Sequence, residues 1–189
     1  MPAEDYWATF FDAEAAVARL FGVEPLSGDI VEFGCGYGTF TFPAACRTTG
    51  LVTALDIEPQ MVAGVGLKAA KGFPNVRVEE RDFVTTGTGL PSASQYHAMI
   101  YNLLHLENPV GLLKEARRVL REGGKLSVIH WRSDIPTPRG PSLDIRPTPE
   151  QCRDWMEGAG FGSIQRVGIE DCCPFHFGLV AFSLKNDGI

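Results

Sequence analysis

Val31-Glu-Phe-Gly-Cys-Gly-Tyr-Gly-Thr-Phe40 and, further on, Leu51-Val-Thr-Ala-Leu-Asp56 decide the fold of this chain. The first is an apolar run that breaks into three alternating glycines, Gly34, Gly36 and Gly38; the second is an apolar run closed by an aspartate. Glycines after a buried strand let the backbone approach a ligand closely, and a carboxylate at the end of the next strand suits a ribose diol. Together they point to an adenosine-containing cofactor, against the plainer reading of a tight turn.

Outward from this core, apolar runs of strand length alternate with helical patterns, the order that builds an α/β fold with a parallel sheet. Ala3 to Phe21 reads as a leading amphipathic helix within an N-terminal segment, residues 1–28, ahead of a first strand near Asp29 to Phe33. Met61 to Lys71 reads as helix, although Gly64 and Gly66 each cost about 1 kcal/mol relative to alanine. Strands are expected at Asn75 to Glu80 and Tyr96 to Tyr101, with an irregular connection from Thr85 to Ser94. Asn108 caps the next helix, Pro109 suits its first turn, and Gly123-Gly124 should stop it before a strand from Lys125 to His130.

Residues 131–149 carry five prolines and read as a long, stiffened loop. Thr148-Pro-Glu-Gln151 is a capping box for a helix ending near Gly160. Gly162 to Ile169 and Phe177 to Leu184 then read as strands with no helix between them, so they should pair antiparallel.

The chain has 189 residues, 44% hydrophobic and 21% charged, which fits a single globular domain over 1–189 and excludes disorder. No apolar run is long enough to span a bilayer, and the opening residues lack a secretory pattern, so the expected location is cytoplasmic, with no membrane partner. Five cysteines without framework spacing suit reduced thiols. A net charge of -6 without a basic cluster disfavours nucleic acid as a partner. No zinc-ligand spacing exists, and Cys172-Cys173 reads as two buried thiols ahead of a soft-metal or arsenic site, so no metal is expected.

Glu32-Phe-Gly-Cys-Gly-Tyr-Gly38, Ala54-Leu-Asp-Ile-Glu-Pro-Gln-Met61, Arg81-Asp-Phe83, Asn102-Leu-Leu-His105 and Arg117-Arg-Val-Leu-Arg-Glu-Gly-Gly124 together resemble the class I S-adenosylmethionine-dependent methyltransferases, especially the small-molecule branch that includes the ubiquinone and menaquinone methyltransferases. The resemblance implies a three-layer α-β-α Rossmann-like fold. Its sheet would have seven mostly parallel strands in order 3-2-1-4-5-7-6, the seventh antiparallel. It also implies S-adenosylmethionine as cofactor, S-adenosylhomocysteine as product and a small-molecule acceptor, and leaves the oligomeric state open.

By the same resemblance, Gly34, Cys35, Gly36 and Gly38 line the methionine part of the cofactor and Glu32 helps hold its ammonium group. Asp56 would take the ribose hydroxyls, Ile57 and Met61 would pack near the adenine, and Asp82 would accept from the adenine amino group beside Phe83. Asn102 would contact the cofactor through its backbone. The alternative role for Asp82 is to cap the turn after its strand.

Where many such relatives carry an aspartate in strand four, this chain has His97, and it lacks the Asn/Asp-Pro-Pro-aromatic run of the amino-methylating nucleic-acid enzymes. His105 and His130 are the candidate catalytic bases for an alcohol or phenol acceptor, with a packed structural role as the alternative. Arg139, and Arg132 with it, are candidate acceptor contacts on the proline-rich loop; the alternative for Arg139 is to pin the loop by pairing with Asp134 or Asp144. Tyr6, Trp7 and Phe10 suit either a lid over the cofactor or an ordinary docked helix. Two other functions stay open. A nicotinamide dehydrogenase would need a third glycine where Thr39 stands, and a non-catalytic cofactor-binding or scaffold protein would share the fold.

Overall fold

The computed structural model describes residues 3–23 and 26–184; residues 1, 2, 24 and 25 of the expected N-terminal segment lie outside it. Seven strands, β1 Ile30–Phe33, β2 Val52–Asp56, β3 Val76–Glu80, β4 Gln95–Tyr101, β5 Leu120–Trp131, β6 Phe161–Val167 and β7 His176–Ser183, form one sheet. Their order is β3-β2-β1-β4-β5-β7-β6, the first five parallel and β7 antiparallel to both its neighbours, as the resemblance implied.

The helices are α1 Glu4–Ala8, α2 Ala13–Phe21, α3 Thr41–Ala45, α4 Pro59–Ala69, α5 Pro109–Val119 and α6 Pro149–Gly158. Strand alternation divides the core between the two faces of the sheet. Val31, Phe33, Ile100 and Val128 pack under α5 and α6, whereas Ile30, Val52, Met99 and Ile129 face α2 and α3, with α4 held through Val65 beside Ala54. This is the expected three-layer arrangement.

Local sequence sets the ends of these elements. Asn108 accepts from the Gly111 amide ahead of Pro109, and Thr148 and Gln151 close a reciprocal capping box at α6. The irregular connection from 85 to 94 is tied down from α5: Glu115 accepts from the amide and hydroxyl of Thr88, both at 2.7 Å, and Arg118 donates to the Leu90 carbonyl.

Two expectations are corrected. The leading helix is broken, because Asp12 caps α2 by accepting from the Ala15 amide while its own N–H is held by the Cys172 carbonyl. The break lets Phe10 turn towards Trp131 and Phe11 towards Phe40 and His176. The second correction is at α5, which stops at Val119 rather than at the glycine pair. Leu120 is already extended and buried, pairs with Gln95, and Arg121 to Gly124 are accommodated in a register shift within β5.

His176 on β7 is fully buried between Phe11 and Trp131, with ring centroids 4.6 and 4.1 Å away, and neither of its nitrogens has a hydrogen-bond partner. Burial, followed by the charges of His130 and Arg146, holds its pKa down at about 3. A histidine whose folded pKa lies below its unfolded value of 6.5 binds fewer protons when folded. Its contribution is therefore complete above that value and is lost progressively on acidification. Buried His97, also held at about 3, acts in the same direction. His176→Phe should therefore leave the melting temperature at about pH 7 unchanged or higher, and should flatten its decline towards about pH 4. Thermal melts across that range check this; an unchanged acid decline would show that His176 does not contribute to it.

Candidate functional site

The parallel strands β1, β2, β4 and β5 all end on one edge of the sheet, and a cavity of about 610 Å³ lies there. Ligands of open α/β sheets bind at such strand ends. Eight of the sequence-predicted residues line it: Gly34, Gly36, Asp56, Ile57, Met61, Phe83, Asn102 and Arg139.

Its polar end is built by Asp56. One carboxylate oxygen accepts from the Gly36 amide at 2.8 Å and the other from the Glu58 amide at 3.0 Å. Gly34, Gly36 and Gly38 have φ of +71°, +52° and +80°, a conformation strained for any side chain. The turn is further fixed by the Cys35 amide donating to the Leu55 carbonyl at 2.9 Å. Asn102 also sits at positive φ, its N–H held by the Ile129 carbonyl, and its Oδ1 is buried at the cavity wall without a partner. Such an acceptor costs free energy until a donor reaches it.

The other candidates lie outside the lining. Glu32 is buried beneath the glycine turn, accepting from the Thr41 hydroxyl; burial pushes its carboxyl up to about 8, opposed by Thr41 and reinforced by the Asp56 charge. Cys35 packs with Ala54 and Val65, where burial raises its thiol pKa well above the usual range. Gly38 serves the turn itself, since a Cβ there would meet the Phe42 ring at 2.7 Å. The Asp82 carboxylate accepts from the amide and hydroxyl of Thr85, which lowers its pKa, and so caps the turn after β3.

His105 and His130 face each other, Nδ1 to Nε2, at 3.3 Å. His130 Nδ1–H donates to the Trp131 carbonyl at 3.1 Å. In neutral His130, Nε2 is then the acceptor, so His105 donates from Nδ1 and keeps its own lone pair on Nε2. Burial lowers both pKa values, that of His130 to about 4, with Arg146 and, for His130, His105 adding to the shift.

Arg132 forms a two-point ion pair with Asp134. Arg139 pairs with neither Asp134 nor Asp144. The loop is pinned instead by Arg146, which donates to the carbonyls of Pro141, Arg132 and Arg139 at 2.8, 2.9 and 3.2 Å.

Trp7, offered by the sequence as part of a lid or a docked helix, and Gly140 and Pro141 of the proline-rich loop also line the cavity, whereas sequence reasoning did not single out Glu58, Tyr101, Leu103 or Trp131. Trp131 had a readable signal, since it follows His130 at the end of β5 and points to the opposite face. Trp7 reaches the cavity because α1 is docked by aromatic contacts to Trp131 and by a Glu4–Lys68 ion pair, with Lys68 also donating to the Tyr37 carbonyl. Below the cavity, Tyr101, Ser127 and His97 form a buried chain of hydrogen bonds at 2.8 and 2.7 Å. His97 is thus a core residue, remote from the ligand edge.

A strand order with one reversed strand at the end, a glycine turn after β1 and a carboxylate ending β2 define the class I methyltransferase architecture. The "Methyltransferase domain" family matches residues 30–124, half of the chain, and the chain belongs to it, within the class I S-adenosylmethionine-dependent methyltransferases. A demethylmenaquinone methyltransferase of Tropheryma whipplei (strain Twist) is 29% identical over 119 residues, 61% of this chain and 46% of that protein. A ribosomal protein L11 methyltransferase of Dechloromonas aromatica (strain RCB) is 31% identical over 103 residues, 52% of this chain and 31% of that protein. The chain therefore spans less than half the length of these curated relatives. Among solved structures, a SAM-dependent methyltransferase from Aquifex aeolicus superposes with a TM-score of 0.79 at 22% identity, covering 96% of this chain and 94% of that one. Among the described residues no helix is long and apolar enough to cross a membrane, and no group of three or more His, Cys, Asp or Glu is placed to hold a metal ion.

The placement of Trp7 has a consequence for motion. Amides of residues 3–11 should exchange more slowly once S-adenosylhomocysteine is added, as measured by hydrogen–deuterium exchange. Identical exchange with and without the ligand would leave α1 as a fixed wall rather than a lid.

Proposed function

We propose that this chain transfers the methyl group of S-adenosylmethionine to a small-molecule acceptor by in-line displacement. The observation that carries the reading is one cavity that joins the Asp56-tied glycine turn to an aromatic end bearing Arg139. The residues fit the cofactor: Asp56 retains lone pairs for a diol, Ile57, Met61 and Phe83 give apolar cover, and the orphan Asn102 acceptor awaits a donor. Glu32 and Gly38 would support the methionine end from beneath, and Asp82, already holding Thr85, can accept one further donor.

The cofactor, when bound, supplies a methyl already activated on a sulfonium centre. The protein's contribution is then alignment and exclusion of water, effects worth up to about 7–11 kcal/mol in well-oriented systems. For a hydroxyl acceptor, His105 is the base the chain offers, its Nε2 lone pair set by the His130–Trp131 carbonyl contact. Acceptor size follows the cavity, which must hold cofactor and acceptor together. The two curated relatives, named for a quinone and for a ribosomal protein, differ in acceptor, so the small-molecule reading rests on the size and lining of this cavity.

Calorimetry should detect binding of S-adenosylmethionine and S-adenosylhomocysteine, with little response to NAD. Asp56→Ala in a folded variant should weaken binding by about 1.5–3 kcal/mol, the scale of a hydrogen bond to a charged group; unchanged affinity would remove Asp56 from the site. Incubating extracts with methyl-labelled cofactor and this chain should yield a labelled small molecule, and label found only in protein or in no product would overturn the proposed reaction.

A base with a depressed pKa stays neutral to lower pH. Turnover of a hydroxyl acceptor should accordingly remain level down through neutrality and fall only below the ordinary histidine value of 6.5, with that fall absent in His105→Gln. A pH–rate profile unchanged by His105→Gln would exclude His105 as the base.

A further inference from the structure

Among the described residues Arg139 is the single basic side chain on the cavity wall, where Asp56 and Glu58 supply negative charge at the cofactor end. Among the described residues its guanidinium has no hydrogen bond and no ion pair, in a chain of net charge -6. The neighbouring arginines are fully engaged, Arg132 with Asp134 and Arg146 with three loop carbonyls.

The backbone that carries Arg139 is fixed. Its carbonyl accepts from both the Thr137 hydroxyl and Arg146. Gly140 follows at φ +105° and lies flat on the Trp131 indole, so close that a Cβ would fall 2.8 Å from the ring. Beside this cation the wall is apolar and largely aromatic: Trp131, with Trp7 set edge-on to it at a centroid distance of 6.1 Å, Tyr101 and Leu103. A guanidinium held at the end of an aromatic wall selects ligands with a planar body and an oxyanion that its paired N–H groups can grip.

We propose that the acceptor is a small aromatic carboxylate, its ring against the Trp7–Trp131 wall and its carboxylate on Arg139. This inference rests on the methyl-transfer reading and adds the acceptor's chemical class. The carboxylate end is anchored, so the opposite side of the ring is the part turned towards the cofactor end of the cavity.

The test uses the full chain in a Trp155→Phe background, which leaves Trp7 and Trp131 as the fluorophores, with saturating S-adenosylhomocysteine, and reads tryptophan fluorescence without requiring turnover. The probes are 4-hydroxybenzoate, its neutral amide 4-hydroxybenzamide, and phenyl phosphate. The acid should quench saturably and bind about tenfold or more tightly than the amide, as expected for one charge-assisted pair. Phenyl phosphate should bind less tightly than the acid; tighter binding of phenyl phosphate would overturn the carboxylate assignment in favour of a phosphate ester.

Arg139→Ala should abolish the preference of acid over amide, and Arg139→Lys should restore part of it. Gly140→Val, which displaces the indole, should weaken acid and amide alike. Equal affinity for acid and amide, binding of neither, or a preference that survives Arg139→Ala would overturn the inference. Failure of S-adenosylhomocysteine itself to bind, read by calorimetry before any probe is added, would instead overturn the methyl-transfer reading and the inference with it.

Discussion

The Asp56 carboxylate, holding the amides of Gly36 and Glu58 in one grip, is the constraint on which the ligand edge of this molecule depends. A turn with three glycines has more conformational freedom than any other, and nothing in its own side chains limits it. The limit comes from the neighbouring strand. Because β1 and β2 pair in register, Phe33 beside Leu55, the chain leaves both at the same level, and Asp56 meets the turn without further adjustment. Two anchored amides on one carboxylate then fix the start of α4 as well as the turn, so the polar end of the cavity is shaped before any ligand arrives.

The opposite end is shaped by different physics. There the wall is aromatic, and its order comes from edge-to-face packing that links α1 to β5, with Trp7 and Phe10 both set against Trp131. Tyr101 forms part of the wall between, and its hydroxyl leads down to Ser127 and His97 in the core. A cavity with fixed carboxylates at one end and a lone guanidinium at the other carries its own electrostatic direction, which orients a polar guest on entry.

Most of the fold was legible in the sequence because it rests on short-range signals. The glycine turn, the Asn108 and Thr148 caps and the absence of a helix between the last two strands each act within a few residues. Asp56, Gly34, Gly36 and Phe83 were legible for the same reason: they sit at strand ends, and strand ends can be read from apolar runs. What escaped reading depends on distant partners. The break at Asp12 is stabilised by Cys172, and the early end of α5 by the pairing of Leu120 with Gln95. Arg146 was invisible as a loop anchor because its partners are carbonyls, which every residue has and no pattern marks.

That last feature bears on how such a molecule can change over generations. A loop held through its side chains must keep those side chains, but the tether that joins the segment from Arg132 to Pro141 to the body of the molecule is one arginine grasping main-chain oxygens. Substitution of residues along it, Gly140 apart, leaves the tether untouched. Side chains along the loop can therefore change without loss of its tether, whereas the end of the cavity built by Asp56 and the left-handed glycines has no such freedom, because its own residues make the contacts that shape it.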